Sequence, residues 1–177
     1  MIRNVISKES LYEVLRGLKT VHNGKEVIWV DMDGVVADFE SAGEKIAKTN
    51  GMSFRDWADD KMYRHIENFY QELPLIEGAR EAIMKLEESG KYDIYFLSAP
   101  SWGNVSCFSD KRIWIEKHFP EFEKRMDLSF HKGHQLGHYL IDDRTKYGAG
   151  EFIGEHIQYG NDTYPNWDSI LKKLLEW

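Results

Sequence analysis

Apolar residues fall along this chain in short continuous runs separated by longer amphipathic stretches, and that alternation predicts its elements. Val27-Ile28-Trp29-Val30 is too short for a helix and rich in β-branched and aromatic types, so it reads as a strand buried on both faces of a parallel sheet. Ile94 to Leu97 and Tyr139-Leu140-Ile141 read the same way. Shorter strands are expected over Leu128 to Phe130 and over His156 to Tyr159, the last weakly alternating and more exposed.

Between these runs the apolar positions recur at helical spacing. Leu11, Val14, Leu15 and Leu18 mark a helix from Ser10 to Lys19 packed on the outside of the domain. Phe39, Ala42, Ile46 and Ala47 mark a second, ended by Asn50-Gly51, and Ser53 caps a third in which Phe54, Trp57, Met62, Ile66, Phe69 and Tyr70 recur irregularly up to Pro74. Glu77 to Glu88 forms a fourth, stopped by Gly90. Ser109 is expected to cap a fifth that carries Lys111, Ile113, Trp114 and Phe119, and Asn166 to Trp177 closes the chain with Ile170, Leu171, Leu174 and Leu175 inward. Strand alternating with helix implies an α/β domain with a parallel sheet and helices on both sides. The stretch from Ala42 to Leu73 then reads as a helical insertion over the C-terminal edge of that sheet.

That edge is where open α/β sheets bind ligands, and polar residues gather there. Asp31 and Asp33 follow the first strand, with Gly34 allowing a tight turn; Ser98-Ala99-Pro100 follows the second; Lys132 precedes the Tyr139 strand, and Asp142-Asp143-Arg144 follow it. One acidic turn is ordinary, but several strand ends carrying this set together are chemically coherent. A carboxylate can attack phosphorus, a second one two residues on can deliver a proton, and hard oxygen ligands can hold Mg²⁺. Ser98 and Lys132 can donate to phosphoryl oxygens, where transition-state charge accumulates.

Composition narrows the field further. The 177 residues suit one domain, and the net charge of −7 argues against nucleic-acid polymers or a membrane surface as partners. Cys107 is the only cysteine, which excludes a disulfide framework and reads as inert. No apolar stretch has the length of a membrane span, and Met1 to Ser10 lacks an apolar signal core, so a cytoplasmic protein is expected. His131, His134 and His138 have the spacing of a zinc set. No cysteine lies near them and the acidic set prefers a harder ion, so the zinc reading is the weaker one. Arg144 reads as a partner of the carboxylates beside it. Trp102 and Asn104 stand evenly between a substrate wall and a surface loop, as does Lys111 between a substrate contact and a solvated charge.

The motifs Asp31-Met32-Asp33-Gly34-Val35-Val36-Ala37-Asp38-Phe39 and Leu140-Ile141-Asp142-Asp143-Arg144, with Leu73-Pro74-Leu75, Gly78-Ala79, Lys111 and Trp114-Ile115-Glu116-Lys117, carry a family resemblance. The chain resembles the haloacid dehalogenase superfamily of phosphatases, and more narrowly the 5'(3')-deoxyribonucleotidases. The resemblance implies a Rossmann-like αβα domain over residues 1–177, with a small helical cap at 42–73 inserted after the first strand. It implies Asp31 as nucleophile and Asp33 as acid and then base. Mg²⁺ would be bound by Asp31, the backbone carbonyl of Asp33 and Asp143, with Asp142 in support. Ser98, the Ala99 N–H and Lys132 would hold the phosphate. Phe39 matches a position beside the substrate, the match at Lys111 favours a substrate contact, and Trp102 completes the candidate substrate residues. The activity implied is hydrolysis of (deoxy)nucleoside monophosphates. The alternatives are the same chemistry on another small phosphate ester, or phosphate binding without turnover; a homodimer is left open. Ala99 departs from the family's usual second hydroxyl, and the insertion is shorter than in the animal nucleotidases.

Overall fold

The computed structural model describes residues 7–176. Five strands pair in parallel in the order β3-β2-β1-β4-β5: β1 (Glu26–Val30), β2 (Tyr92–Ser98), β3 (Met126–Leu128), β4 (Tyr139–Asp142) and β5 (Glu155–Gln158). β1 is central, and Val30 sits in register with Phe96 on one side and Ile141 on the other. The chain fills the sheet outward on the β2 side, then crosses to β4. The ends of β1 and β4 therefore flank the point where strand order reverses, which is where open sheets form a crevice.

Side chains alternate across the sheet and feed two cores. Ile28, Val30, Ile94, Phe96, Ile141 and Ile157 face one side, packed by α4 (Ala79–Glu88), α5 (Cys107–His118) and α6 (Trp167–Leu175). Val27, Trp29, Leu97 and Leu140 face the other, with Ala149, Phe152 and part of Leu18 from α1 (Lys8–Val21). Both faces are covered as expected, but unequally: α1 has no fully buried residue, and short 3₁₀ turns do the rest.

After β1 come α2 (Phe39–Thr49) and α3 (Phe54–Asp59). The single irregular helix expected up to Pro74 is instead α3, six residues long, followed by 3₁₀ turns at Met62–His65 and Tyr70–Glu72. Lys61 and Asn68 adopt left-handed backbone (φ 57° and 60°), which stops helix propagation. The irregular aromatic spacing has its own logic. Phe39, Trp57, Tyr63, Phe69 and Tyr70 interlock with centroids 5.1 to 6.2 Å apart, mostly tilted or edge-on. α2 and α3 meet at Gly43, where a Cβ would fall 2.5 Å from the Trp57 ring.

Among the boundaries that differ from the sequence reading are those of α5 and β3. α5 begins at Cys107, so Ser109 is not its cap; its hydroxyl donates instead to the Ser106 carbonyl at 2.8 Å. β3 ends at Leu128 because its register is set by β2, Phe96 lying opposite Met126. α6 closes the chain as expected, with Asn166 as its cap, and Trp177 lies outside the described residues.

Candidate active site

The site is assembled from the backbone outward. The sheet's hydrogen bonding continues one residue past β1, with Asp31 N–H donating to the Ile141 carbonyl at 2.9 Å, so Asp31 is pinned beside the end of β4. The chain then curls tightly, the Met32 carbonyl accepting from the N–H groups of Val35, Val36 and Ala37. Gly34 is needed there twice over: its φ is 80°, and a Cβ would sit 2.7 Å from Asp143 Oδ2.

Lys132 reaches in from a 3₁₀ turn (Lys132–His134), itself 2 % exposed. Its Nζ lies 2.5 Å from Asp142 Oδ2 and 2.9 Å from Asp31 Oδ1. Arg144 braces the same corner, its N–H donating to Asp142 Oδ1 at 2.9 Å and its Nε to Asp143 Oδ2 at 3.1 Å. Ser98, buried at the end of β2, completes the edge.

Charge at this corner is unbalanced. Burial, and then the negative charge of Asp31, push Asp142 up to about 7 against the pull of Lys132. Asp143 is also raised, by burial first, with Asp31 adding to it and Arg144 opposing. Burial works to lower the Lys132 ammonium, but Asp31 and Asp142 outweigh it and hold its pKa above the ordinary lysine value. Asp31, Asp142 and Asp143 can each present an oxygen within 4.8 Å of the others, the single such cluster of acidic, histidine or cysteine side chains among the described residues. Asp31 Oδ1 is buried without an aligned hydrogen bond, Lys132 Nζ lying near it but out of line. An all-oxygen set with surplus negative charge and an unsatisfied buried oxygen fits a hard divalent cation.

These residues line a cavity of about 290 Å³, together with Asp33, Phe39, Ala99 and Trp102. Lys111, expected as a substrate contact, is not among the residues lining the cavity. It is wholly buried behind the cavity, donating to Asp33 Oδ1 at 2.7 Å with its ammonium 4.9 Å from the centre of the Tyr70 ring. The histidine set does not converge. His131 and His134 stack at 4.1 Å, whereas His138 commits both ring nitrogens to backbone, accepting from Val27 N–H and donating to the Leu15 carbonyl. Cys107 is buried, which pushes its thiol up to about 11.

The cavity also has walls that the sequence reading did not assign: Tyr63, Arg64 and Tyr70 from the stretch after α3, and Phe130, Lys146 and Tyr147. No spacing rule marks them, because the chain path from Lys61 to Glu72 is set by ring packing.

A sequence profile for the family described as 5' nucleotidase, deoxy (pyrimidine), cytosolic type C protein matches residues 25–165. The chain belongs to this family. The match runs from β1 through β5 and so reaches beyond Arg144, where the recognisable motifs end. A protein of Vibrio phage KVP40, provisionally named a 5'(3')-deoxyribonucleotidase, is 35% identical over 174 residues, covering 98% of this chain and 96% of its own. One of Bordetella bronchiseptica with the same provisional name is 31% identical over 172 residues, 85% of this chain and 91% of its own. The human 5'(3')-deoxyribonucleotidase, cytosolic type, is 26% identical over 167 residues, 81% of this chain and 78% of its own. As a 5'-nucleotidase family member, the chain is a phosphatase.

Proposed function

We propose that the chain hydrolyses nucleoside monophosphates, deoxy forms foremost, to nucleoside and phosphate through a phosphorylated Asp31. The observation that carries this reading is the placement of Asp31: fixed by the sheet beside Asp142 and Asp143, with Asp33 two residues on and Lys132 against it. The names of the relatives support the substrate class.

An Asp31 carboxylate oxygen forms a bond to phosphorus as the bond from phosphorus to the ribose oxygen breaks, and Asp33 gives that oxygen its proton. A water then attacks phosphorus, Asp33 takes its proton, and the bond to Asp31 breaks, which restores the enzyme. Ser98, the Ala99 N–H and Lys132 carry the phosphoryl oxygens through both steps. Lys111 fixes Asp33 from behind. Phe39 and Trp102 belong to the walls around the substrate, and residues 42–73 act as a cap that keeps bulk water out. Asp31, Asp143 and the Asp33 carbonyl would hold Mg²⁺, with Asp142 in support. Its chemistry, when bound, is to offset the negative charge that a phosphate brings to this acidic corner.

The test is a panel of nucleoside monophosphates and sugar phosphates assayed with Mg²⁺ or chelator. Asp31→Asn is expected to lose roughly a thousandfold or more in kcat with its circular dichroism melt intact. Asp143→Asn recovers part of its loss in excess Mg²⁺, and Asp31→Asn does not. Near wild-type turnover by Asp31→Asn would sink the nucleophile assignment, and full activity in chelator would sink the metal.

A further inference from the structure

Trp102 borders the cavity yet is 81 % exposed, and the residues around it are not loose. Asn104, 2 % exposed, donates from Nδ2 to the carbonyls of both Tyr63 and Ile66 at 2.9 Å, and accepts at Oδ1 from the Ser106 hydroxyl. Asn68 N–H donates in turn to Ser106 Oγ at 3.0 Å. The loop that carries Trp102 is thus clasped to the inserted segment by buried hydrogen bonds. At its tip, the Arg64 side chain lies so close over Gly103 that a Cβ there would be 2.6 Å from Arg64 Cδ. Phe130 meets the indole edge-on at 5.7 Å and is itself backed by Phe108 at 6.2 Å.

Three of the other rings at the cavity are already occupied, while Tyr147, which also lines it, is 57 % exposed. Phe39 has four aromatic neighbours, Tyr63 packs on Phe39 and Trp57, and Tyr70 lies against Phe39, Phe69 and the Lys111 ammonium. The cavity volume of about 290 Å³ is just below the range of roughly 300–1,000 Å³ usual for small-molecule pockets, so a phosphate and a sugar take up most of it. What remains of a nucleotide has to leave through the mouth, where the indole face is open.

We propose that Trp102, held in place by the Asn104 clasp and braced by Phe130, is the platform on which the nucleobase of the substrate stacks. The inference rests on the nucleotidase reading and deepens it. Every base has a π face, so stacking on one open indole separates nucleotides from sugar phosphates without choosing among bases. Base identity is then left to other groups at the mouth.

Steady-state kinetics on dTMP, dGMP and 2-deoxyribose 5-phosphate in wild type, Trp102→Ala and Trp102→Phe test this. Trp102→Ala is expected to raise KM for both nucleotides about tenfold or more, with the loss in KM rather than kcat, so that the preference over the sugar phosphate falls toward one. Trp102→Phe restores most of it, because a phenyl face still stacks. An unchanged preference in Trp102→Ala would overturn the platform while leaving the nucleotidase reading in place, and so would an equal loss on all three substrates. A wild-type enzyme with no preference for nucleotides over the sugar phosphate would overturn that reading and the platform with it.

Discussion

The two ends of the central strand have been built in opposite ways. At its C-terminal end, the seven buried polar or charged side chains of the described residues gather at or next to one edge: Asp31, Ser98, Asn104, Asp110, Lys111, Lys132 and Asp142. Beside its N-terminal end, α1 spans a hollow of about 960 Å³, more than three times the volume of the site cavity, with no buried charge in it. α1 is held there by the His138 bridge between Leu15 and Val27 and by exposed ion pairs such as Lys19 with Glu26 at 3.1 Å. Buried charges are costly to desolvate unless paired, so a cluster of them at one strand end marks a candidate functional site.

The largest effect that would sharpen this contrast is at Lys132. Lys132→Met leaves Asp31 and Asp142 buried against each other and is expected to cost about 3–5 kcal/mol in urea denaturation. Lys19→Met at the other end removes an exposed pair and should cost less than about 1 kcal/mol. Equal costs would break the comparison. Next in size is Gly34→Ala, which forces an alanine into φ 80° and drives its Cβ against Asp143. About 1–3 kcal/mol of stability and most of the turnover should go together; a variant as stable and active as wild type would mean that Asp143 is not held where it is described.

The smallest effect concerns pH and the α1 end. Burial, followed in smaller measure by the charges of Lys19 and His22, depresses the His138 pKa, against opposing pulls from Glu26 and the Leu15 bond. The unfolded chain therefore takes up a proton first as pH falls. The contribution of His138 is full above the ordinary histidine value of about 6.5 and is lost as pH drops through it toward the lower folded value. Protonation at Nδ1 also removes the acceptor for Val27 N–H. Melting temperatures from pH 7.5 to 5.5 should fall more steeply for wild type than for His138→Gln, and parallel slopes would discount the bridge.

Much of the fold was legible because it depends on local pattern. The runs at Val27–Val30, Ile94–Leu97 and Tyr139–Ile141 read as buried strands and are strands, and each is followed by polar residues within one or two positions. The placement of Asp31, Ser98 and Asp142 at one edge follows once those strands are parallel. What misled was also local. Ser109 has the chemistry of a cap, but α5 starts at Cys107, where Ser106 Oγ lies 2.8 Å from Asp110 Oδ2 and accepts from Asn68 N–H.

The sequence by itself determined the alternation of strand and helix, the acidic strand ends and the reaction class they permit, since side-chain period and residue chemistry act over a few neighbouring positions. Tertiary structure alone decided the rest. Lys111 meets Asp33 across 78 positions, His138 meets Leu15 across 123, and Asn104 reaches back to Tyr63 across 41. These partners depend on where buried polar groups can be satisfied once the sheet has closed around them. That is a property of the packed chain, and no window of its residues contains it.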